Sequence, residues 1–253
     1  MISLSVVIIT FNEEKNIAQC LQSVQEIADE IWVIDSFSTD KTKEICLSYG
    51  VQFIEHRFEG HIQQKNFAAQ KASYNYVLSL DADEVLSQQL IKSIKEVKLN
   101  FTADGYSFNR LNNYCGQWIK HCGWYPDKKL RLWDRRKGQW AGENPHDKIE
   151  LHEGSKIGCL KGDLLHYTFH SVQQHIAQVD KFTEIASLAA YKKGKKAPLT
   201  KILIYPFWKF IRDFIIKRGF LDGYYGFLIC TISAYATFLK YVKIRELTKN
   251  KIS

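Results

Sequence analysis

Asp81 and Asp83 stand one residue apart at the end of the apolar run Val77-Leu78-Ser79-Leu80. Two carboxylates at the end of a buried strand are costly unless a positive charge meets them. Mg²⁺ or Mn²⁺ takes oxygen ligands of this kind, and phosphate oxygens would complete its shell. Taken alone, a D-x-D triplet is as readily a solvated turn that caps the next helix. Two other acidic strand ends tip the balance toward a binding site: Thr10–Glu14 (TFNEE) and Asp35–Asp40 (DSFSTD). An acid placed like Asp35 accepts hydrogen bonds from a ribose hydroxyl or a base N–H. Its plainer alternative is a cap for the helix that follows Asp40. Neither G-x-G-x-x-G nor G-x-x-x-x-G-K-[ST] occurs, so dinucleotide and P-loop phosphate sites are not supported.

Something must bring these strand ends together. Leu4–Thr10, Ile31–Asp35, Val51–Glu55 and Tyr76–Leu80 are short apolar runs of the kind that form buried parallel strands. Helical segments fall between them. The first is capped by Asn12 and carries an Ile17, Leu21, Val24 stripe; the second is capped by Thr39 or Asp40 and stops at Gly50. The third covers about Gln63–Ser73. Ser87 caps a fourth, with Leu90, Ile91, Ile94 and Val97 on one face. This alternation predicts a parallel sheet with helices on both faces. Ligands of such sheets bind beyond the carboxyl ends of the strands, where the three acidic motifs converge. Gly105–Tyr167 reads as shorter strands and loops dense in Trp, Tyr, Arg and His. Ser171–Lys193 reads as a helix with Ile176, Val179, Phe182, Ile185 and Ala189 inward, and Lys192–Pro198 as a linker.

The 253 residues suffice for one large domain, or one domain with an appendage, and 45% hydrophobic against 25% charged is a globular mix. The net charge is +8, but residues 192–251 hold 14 Lys and Arg against 3 Asp and Glu, a net of +11 that leaves −3 for the rest. The basicity belongs to the tail. Ile202–Ile216 mixes large apolar residues with Lys209 and Arg212, and Pro206 fits the first position of a helix. Phe220–Leu239 has the length of a membrane span but holds Asp222, Gly223 and Gly226. An interfacial helical hairpin on an anionic membrane fits this composition. Packing of both helices on the rest of the protein is the plain alternative. No nucleic-acid module is present, so nucleic acid is not an expected partner. The six cysteines form no C-x-x-C pair and suggest reduced thiols in the cytosol. The chain enters its first strand without a basic leader, so no signal peptide is expected.

In their order and spacing, TFNEE (10–14), the strand ending in Asp35 before STD (38–40), and LDADE (80–84) resemble glycosyltransferase family 2. WYPDKKLRLWDRR (124–136), Pro145-His146-Asp147 and GFLDG (219–223) resemble its lipopolysaccharide-core beta-glucosyltransferase branch, so the likeness spans nearly the whole chain. The resemblance implies an α/β, GT-A-like (Rossmann-like) fold with a mostly parallel sheet flanked by helices and a C-terminal helical membrane-associating extension. It implies inverting transfer of a sugar, with glucose as the expected one, from a UDP-sugar to a lipopolysaccharide-core or similar lipid-linked glycan acceptor at the cytoplasmic face of the inner membrane. Residues 1–193 would be the catalytic domain, with 1–100 as nucleotide-sugar half and 101–170 as acceptor half; 194–253 would be the extension.

By match to the family motifs, Thr10, Asn12 and Glu13 would line the nucleotide pocket with Lys65 and Asp81, and Asp35 would hold the uridine. Asp83, with Asp81 near it, would bind the Mg²⁺ or Mn²⁺. Asp147 is the candidate base for the acceptor hydroxyl, standing where the branch usually has Glu, with Asp127 and Glu143 as competitors and a surface pair with Lys148 as the plain alternative. Arg131, alternating with Leu130 and Leu132, suits a diphosphate or a phosphorylated acceptor. Trp124, Tyr125, Trp133 and Trp140 are candidates for stacking on sugar rings. His121, His152, His166, His170 and His175 lack metal-ligand spacing and read as structural or supporting groups. Two alternatives stay open: a sugar-phosphate nucleotidyltransferase, and a non-catalytic membrane-bound glycan-binding protein.

Overall fold

The computed structural model describes residues 1–143 and 146–249; the side chains of Glu143 and His146 fall outside that description. By compactness the chain divides into two units, one of residues 1–111 with 127–167, the other of 112–126 with 168–253.

The first unit opens with β1 (Leu4–Thr10), α1 (Ile17–Val24), β2 (Glu30–Asp35), α2 (Thr42–Ser48), β3 (Gln52–Glu55), α3 (His61–Lys71) and β4 (Tyr76–Asp81). β5 (Glu84–Leu86) and α4 (Gln88–Leu99) follow. β6 (Gly105–Tyr114) runs into the second unit, which holds β7 (Gln117–Ile119). Then come β8 (Asp127–Asp134), β9 (Gly138–Glu143), β10 (His146–Leu151) and β11 (Ile157–Phe169). The sheet order is β3-β2-β1-β4-β8-β6-β11-β5, and β9 and β10 form a separate hairpin. β1 pairs in parallel with β2 and β4, in a register that sets Thr10 beside Asp35 and Ile9 beside Asp81. The expected strand ends therefore meet on one edge. From β4 onward the pairing turns antiparallel: β8 lies against β4 and β6, and β5 against β11. Leu4, Val6, Ile8, Ile17, Leu21, Leu78 and Leu80 are fully buried and fix this frame.

Ser87 caps α4, its hydroxyl accepting from Leu90 N. Asn12 does not cap α1. It takes a positive φ of 54°, the helix starts after Asn16, and Asn12 Oδ1 accepts instead from Thr39 N. The pull of the neighbouring loop outweighs the local capping preference.

The second unit contains α5 (Val172–Lys192), α6 (Leu199–Ile211), a π-helical turn (Arg212–Ile216), a 3₁₀ turn (Gly219–Asp222) and α7 (Gly223–Lys249). Tyr114, Ile119, Cys122, Phe169, Ile229 and Cys230 form its core. Phe210 meets Phe227 and Tyr205 meets Tyr241, so α6 and α7 fold back on each other as a hairpin. Two expectations are corrected. α5 buries His175, Val179, Thr183, Ser187 and Ala190, and of the expected inward set only Val179 is buried. Ile176, Phe182 and Ile185 stay exposed, because α7 packs on the face with the smaller side chains. Pro206 lies inside α6 and not at its first turn, the helix having begun at Leu199.

Candidate active site

The end of β4 carries Asp81 into a ring of charges. Its Oδ1 is 3.1 Å from Lys65 Nζ on α3, and its Oδ2 is 3.3 Å from Arg131 Nη2 on β8. Burial alone would raise this carboxyl, but the two cations hold it well below the usual carboxylate range. Arg131 Nη2 also reaches Glu84 Oε1 at 3.0 Å, and Arg110 Nη1 lies 3.6 Å from the same oxygen. Glu84 is fully buried and its Oε2 accepts the backbone N–H of Asp81. A buried carboxylate lacking such partners would be strongly destabilising.

Lys65, itself buried, also pairs with Asp147 Oδ2 of β10 at 2.7 Å. The Trp140 indole of β9 lies beneath both cations, 4.4 Å from Lys65 Nζ and 5.0 Å from Arg131 Cζ. Cation–π contact of this kind holds charge in a desolvated place. Together Lys65, Asp81, Arg131, Trp140 and Asp147 line a cleft of about 400 Å³, to which Arg110, Lys128, Lys129 and Lys148 add their charge. Asp127 starts β8 and is held by Arg110 at 2.9 Å and Lys129 at 3.0 Å. Glu143, the third candidate base, lies outside the described side chains.

Asp83 meets different surroundings. Its Oδ2 is 3.1 Å from His166 Nε2 of β11. Burial would pull the imidazole down, but the Asp83 carboxylate outweighs it and the His166 pKa is raised. Glu13 is pushed up to about 7, chiefly by burial and further by Asp83 and Asp40, although a hydrogen bond from Asn16 opposes this. Asp83 is thus answered only by a titratable imidazole, while Asp81 is answered by two permanent cations. Among the described residues, no three acidic, His or Cys side chains form a ready-made cage for an ion. A divalent ion nevertheless fits Asp83, a partly exposed carboxylate beside an imidazole, with substrate oxygens left to fill its shell.

The nucleotide-side candidates gather where two loops are laced together. Asn12 N donates to Ser38 Oγ at 2.8 Å, Glu13 N to Thr42 Oγ1 at 2.8 Å and Glu14 N to Asp40 Oδ2 at 3.0 Å. Asp35 is fully buried and closes its own turn, accepting from the Ser38 N–H at 2.7 Å and from the Ser38 hydroxyl. The Thr10 hydroxyl is buried without a hydrogen-bond partner among the described residues. Such an orphan is what a ligand's polar atom would satisfy.

The family model described as Glycosyl transferase family 2 matches residues 5–150, more than half of the chain. This chain belongs to glycosyl transferase family 2. An uncharacterized glycosyltransferase of Rickettsia typhi is 31% identical to it over 98% of this chain and 88% of that protein. The lipopolysaccharide core biosynthesis glycosyltransferase LpsC of Rhizobium meliloti is 27% identical, over 96% of this chain and 92% of LpsC. Among solved structures, S. aureus TarS in complex with UDP aligns over 98% of this chain and 92% of its own, at 15% identity and a TM-score of 0.48. Glucosyl-3-phosphoglycerate synthase from Mycobacterium tuberculosis, crystallised with Mn²⁺, UDP and glucosyl-3-phosphoglycerate, covers 44% of each chain at 19% identity and a TM-score of 0.38. The family 2 chain has the GT-A-like mixed sheet that the motifs implied, parallel over β3-β2-β1-β4 and flanked by helices.

Several members of the site escape a reading of the sequence. Arg110 sits in the strand GYSFNRLNNY with no motif to mark it. His166 lies in an ordinary strand, and only the pairing of β11 with β5 brings it beside the acidic turn. Of the aromatic candidates, Trp133 is fully buried and donates to Gly138 O, while Trp124 packs with Tyr114, Phe169 and His175. Trp140 alone of these three tryptophans lines the cleft.

Proposed function

We propose that this family 2 glycosyltransferase moves a hexosyl group, glucose as first candidate, from a UDP-sugar to a lipopolysaccharide-core or similar lipid-linked glycan, with inversion and with Mg²⁺ or Mn²⁺. The observation that carries this reading is the unequal treatment of Asp81 and Asp83. The first is clamped by two permanent cations, Lys65 and Arg131; the second meets only the His166 imidazole. Asp83, with the His166 imidazole beside it, would hold the ion, while Asp81 would keep Lys65 and Arg131 in place for the donor's diphosphate. The ion would supply Lewis-acid stabilisation of the departing diphosphate. The unsatisfied Thr10 hydroxyl and the laced Asn12–Glu13 loop support a nucleotide on that side, with Asp35 at its base. The similarity to LpsC supports a glycan of the lipopolysaccharide core as acceptor.

In the transfer, the acceptor oxygen bonds to the anomeric carbon as the bond from that carbon to the diphosphate breaks. Asp147 takes the hydroxyl proton and UDP leaves with the bonding electrons. Asp147 is favoured over Asp127 because it opens on the cleft and meets one cation, whereas two hold Asp127. Membership of the family removes the ground for the nucleotidyltransferase alternative. Similarity to a lipopolysaccharide enzyme and the long apolar C-terminal helix support a peripheral place at the cytoplasmic membrane face.

Calorimetry tests the donor site. UDP should bind wild type with Mn²⁺ or Mg²⁺, lose at least about tenfold in affinity with chelator, and show no metal response in Asp83→Ala of unchanged melting temperature. Equal UDP binding with and without metal in both proteins would overturn the assignment of Asp83.

A further inference from the structure

α6 and the turns that follow expose large apolar side chains in unusual number. Leu203, Phe207, Trp208, Ile216, Leu221 and Tyr224 are each more than half exposed, Phe207 at 70% and Tyr224 at 71%. Large apolar side chains exposed in this number over one short segment mark a surface that meets something. The charges around it indicate what. Residues 199–227 contain five cations, Lys201, Lys209, Arg212, Lys217 and Arg218, and two acids, Asp213 and Asp222. Both acids are buried. Asp213 is paired with Lys209, Arg212 and Lys217. Asp222 turns inward and accepts the backbone N–H groups of Lys120 at 3.2 Å and His121 at 2.7 Å. The segment therefore turns no acid outward, and every charge it exposes is positive.

Its complement is apolar beneath and anionic at its surface, which is a leaflet of acidic phospholipid. We propose that α6, the two turns and the start of α7 lie in the plane of one anionic leaflet, with Phe207 and Trp208 in the acyl region and the five cations among the headgroups. α7 does not cross. Gly219–Lys249 has the length to do so, and its most apolar 18-residue window has a mean hydropathy of 1.4. Its second half, however, runs along α5: Lys243 Nζ pairs with Asp180 at 2.7 Å and also reaches Thr183. α5 presents Gln173, Gln178, Lys181 and Glu184 to solvent, and hydrocarbon would not accept them.

The proposal deepens the peripheral-membrane part of the proposed function and is tested on the full chain. Vesicles of phosphatidylcholine alone, and with about a third phosphatidylglycerol, vary the surface charge. Co-sedimentation is expected only with the anionic vesicles and should weaken with salt. Lys201→Gln with Arg218→Gln should weaken it by at least about tenfold. Phe207→Ser with Trp208→Ser should abolish it at unchanged melting temperature. Brominated acyl chains should quench wild-type fluorescence more than that of Trp208→Phe, and alkaline carbonate should release the protein. Carbonate-resistant pelleting would establish a span and overturn the proposal, as would equal binding to neutral vesicles. So would a dimer in vesicle-free sedimentation that the Phe207/Trp208 substitutions dissociate. UDP binding by the same variants reports separately on the donor site, so the two readings fail independently.

Discussion

Lys65 is the residue on which the cleft's electrostatics turn. One buried ammonium answers two carboxylates, Asp81 at 3.1 Å and Asp147 at 2.7 Å, over the face of Trp140. Removing it leaves Asp81 with Arg131 alone and takes from Asp147 its close ion pair, and breaking a buried pair from one side costs far more than the pair contributes. Lys65→Met should therefore destabilise by ~3 kcal/mol in denaturant unfolding and should suppress transfer. Adding Asp147→Asn should recover part of the stability but none of the activity, a non-additivity a double-mutant cycle would read. Additive losses would mean that the pair is not coupled. At this scale the sequence is informative about residue type and poor about partners. Asp81, Asp83, Asp147 and Arg131 stand out by spacing and motif. Arg110, Glu84's buried role and His166 do not, because each acquires its meaning from a strand distant in sequence.

Elements were legible where local pattern and tertiary demand agree. β1 and β4 follow apolar runs buried on both faces, and α4 has its Ser87 cap. α5 shows the failure: its stripe of Ile176, Phe182 and Ile185 is the larger apolar face, yet the smaller residues allow α7 close approach and take the interior. That choice buries His175 among Tyr114, Trp124 and Phe169, with its Nδ1 3.0 Å from the Tyr114 hydroxyl. Desolvation pulls the imidazole down to about 4. The sign follows from linkage. Above pH 6.5 the ring is neutral in both states and costs nothing; as pH falls toward 4 the unfolded chain takes up a proton that the folded chain refuses. Stability should drop across that window by up to about 3 kcal/mol. His175→Phe should flatten the pH dependence of the melting temperature between 4 and 6.5, and an unchanged slope would show that the ring titrates freely.

For the whole molecule, the composition break at Lys192–Pro198 marks where the basic tail begins, and the sequence places its boundary there. Compactness joins the chain differently. Residues 112–126, in which no charge or composition shift is visible, share a core with 168–253. Tyr114, Ile119 and Cys122 pack with Phe169, Ile229 and Cys230, and Asp222 satisfies the N–H groups of Lys120 and His121. GFLDG (219–223) gains a structural reason from this: Gly219 lets Cys122 and Cys230 approach, since a Cβ there would lie within 3.0 Å of both sulfurs. Ending the chain after Lys193 would strip the tail-side half of that core and take from the Lys120 and His121 amides their acceptor. The truncated protein should bind a hydrophobic dye, aggregate on warming and lose its cooperative melting, whereas full chains with Phe207→Ser and Trp208→Ser should melt as wild type does. Loss of vesicle binding on truncation would then reflect a broken core as much as a missing membrane face, which is why point substitutions on the exposed face are the informative test. A truncated chain that stays monomeric, binds no dye and melts at the wild-type temperature would show that residues 112–126 hold their place without the tail.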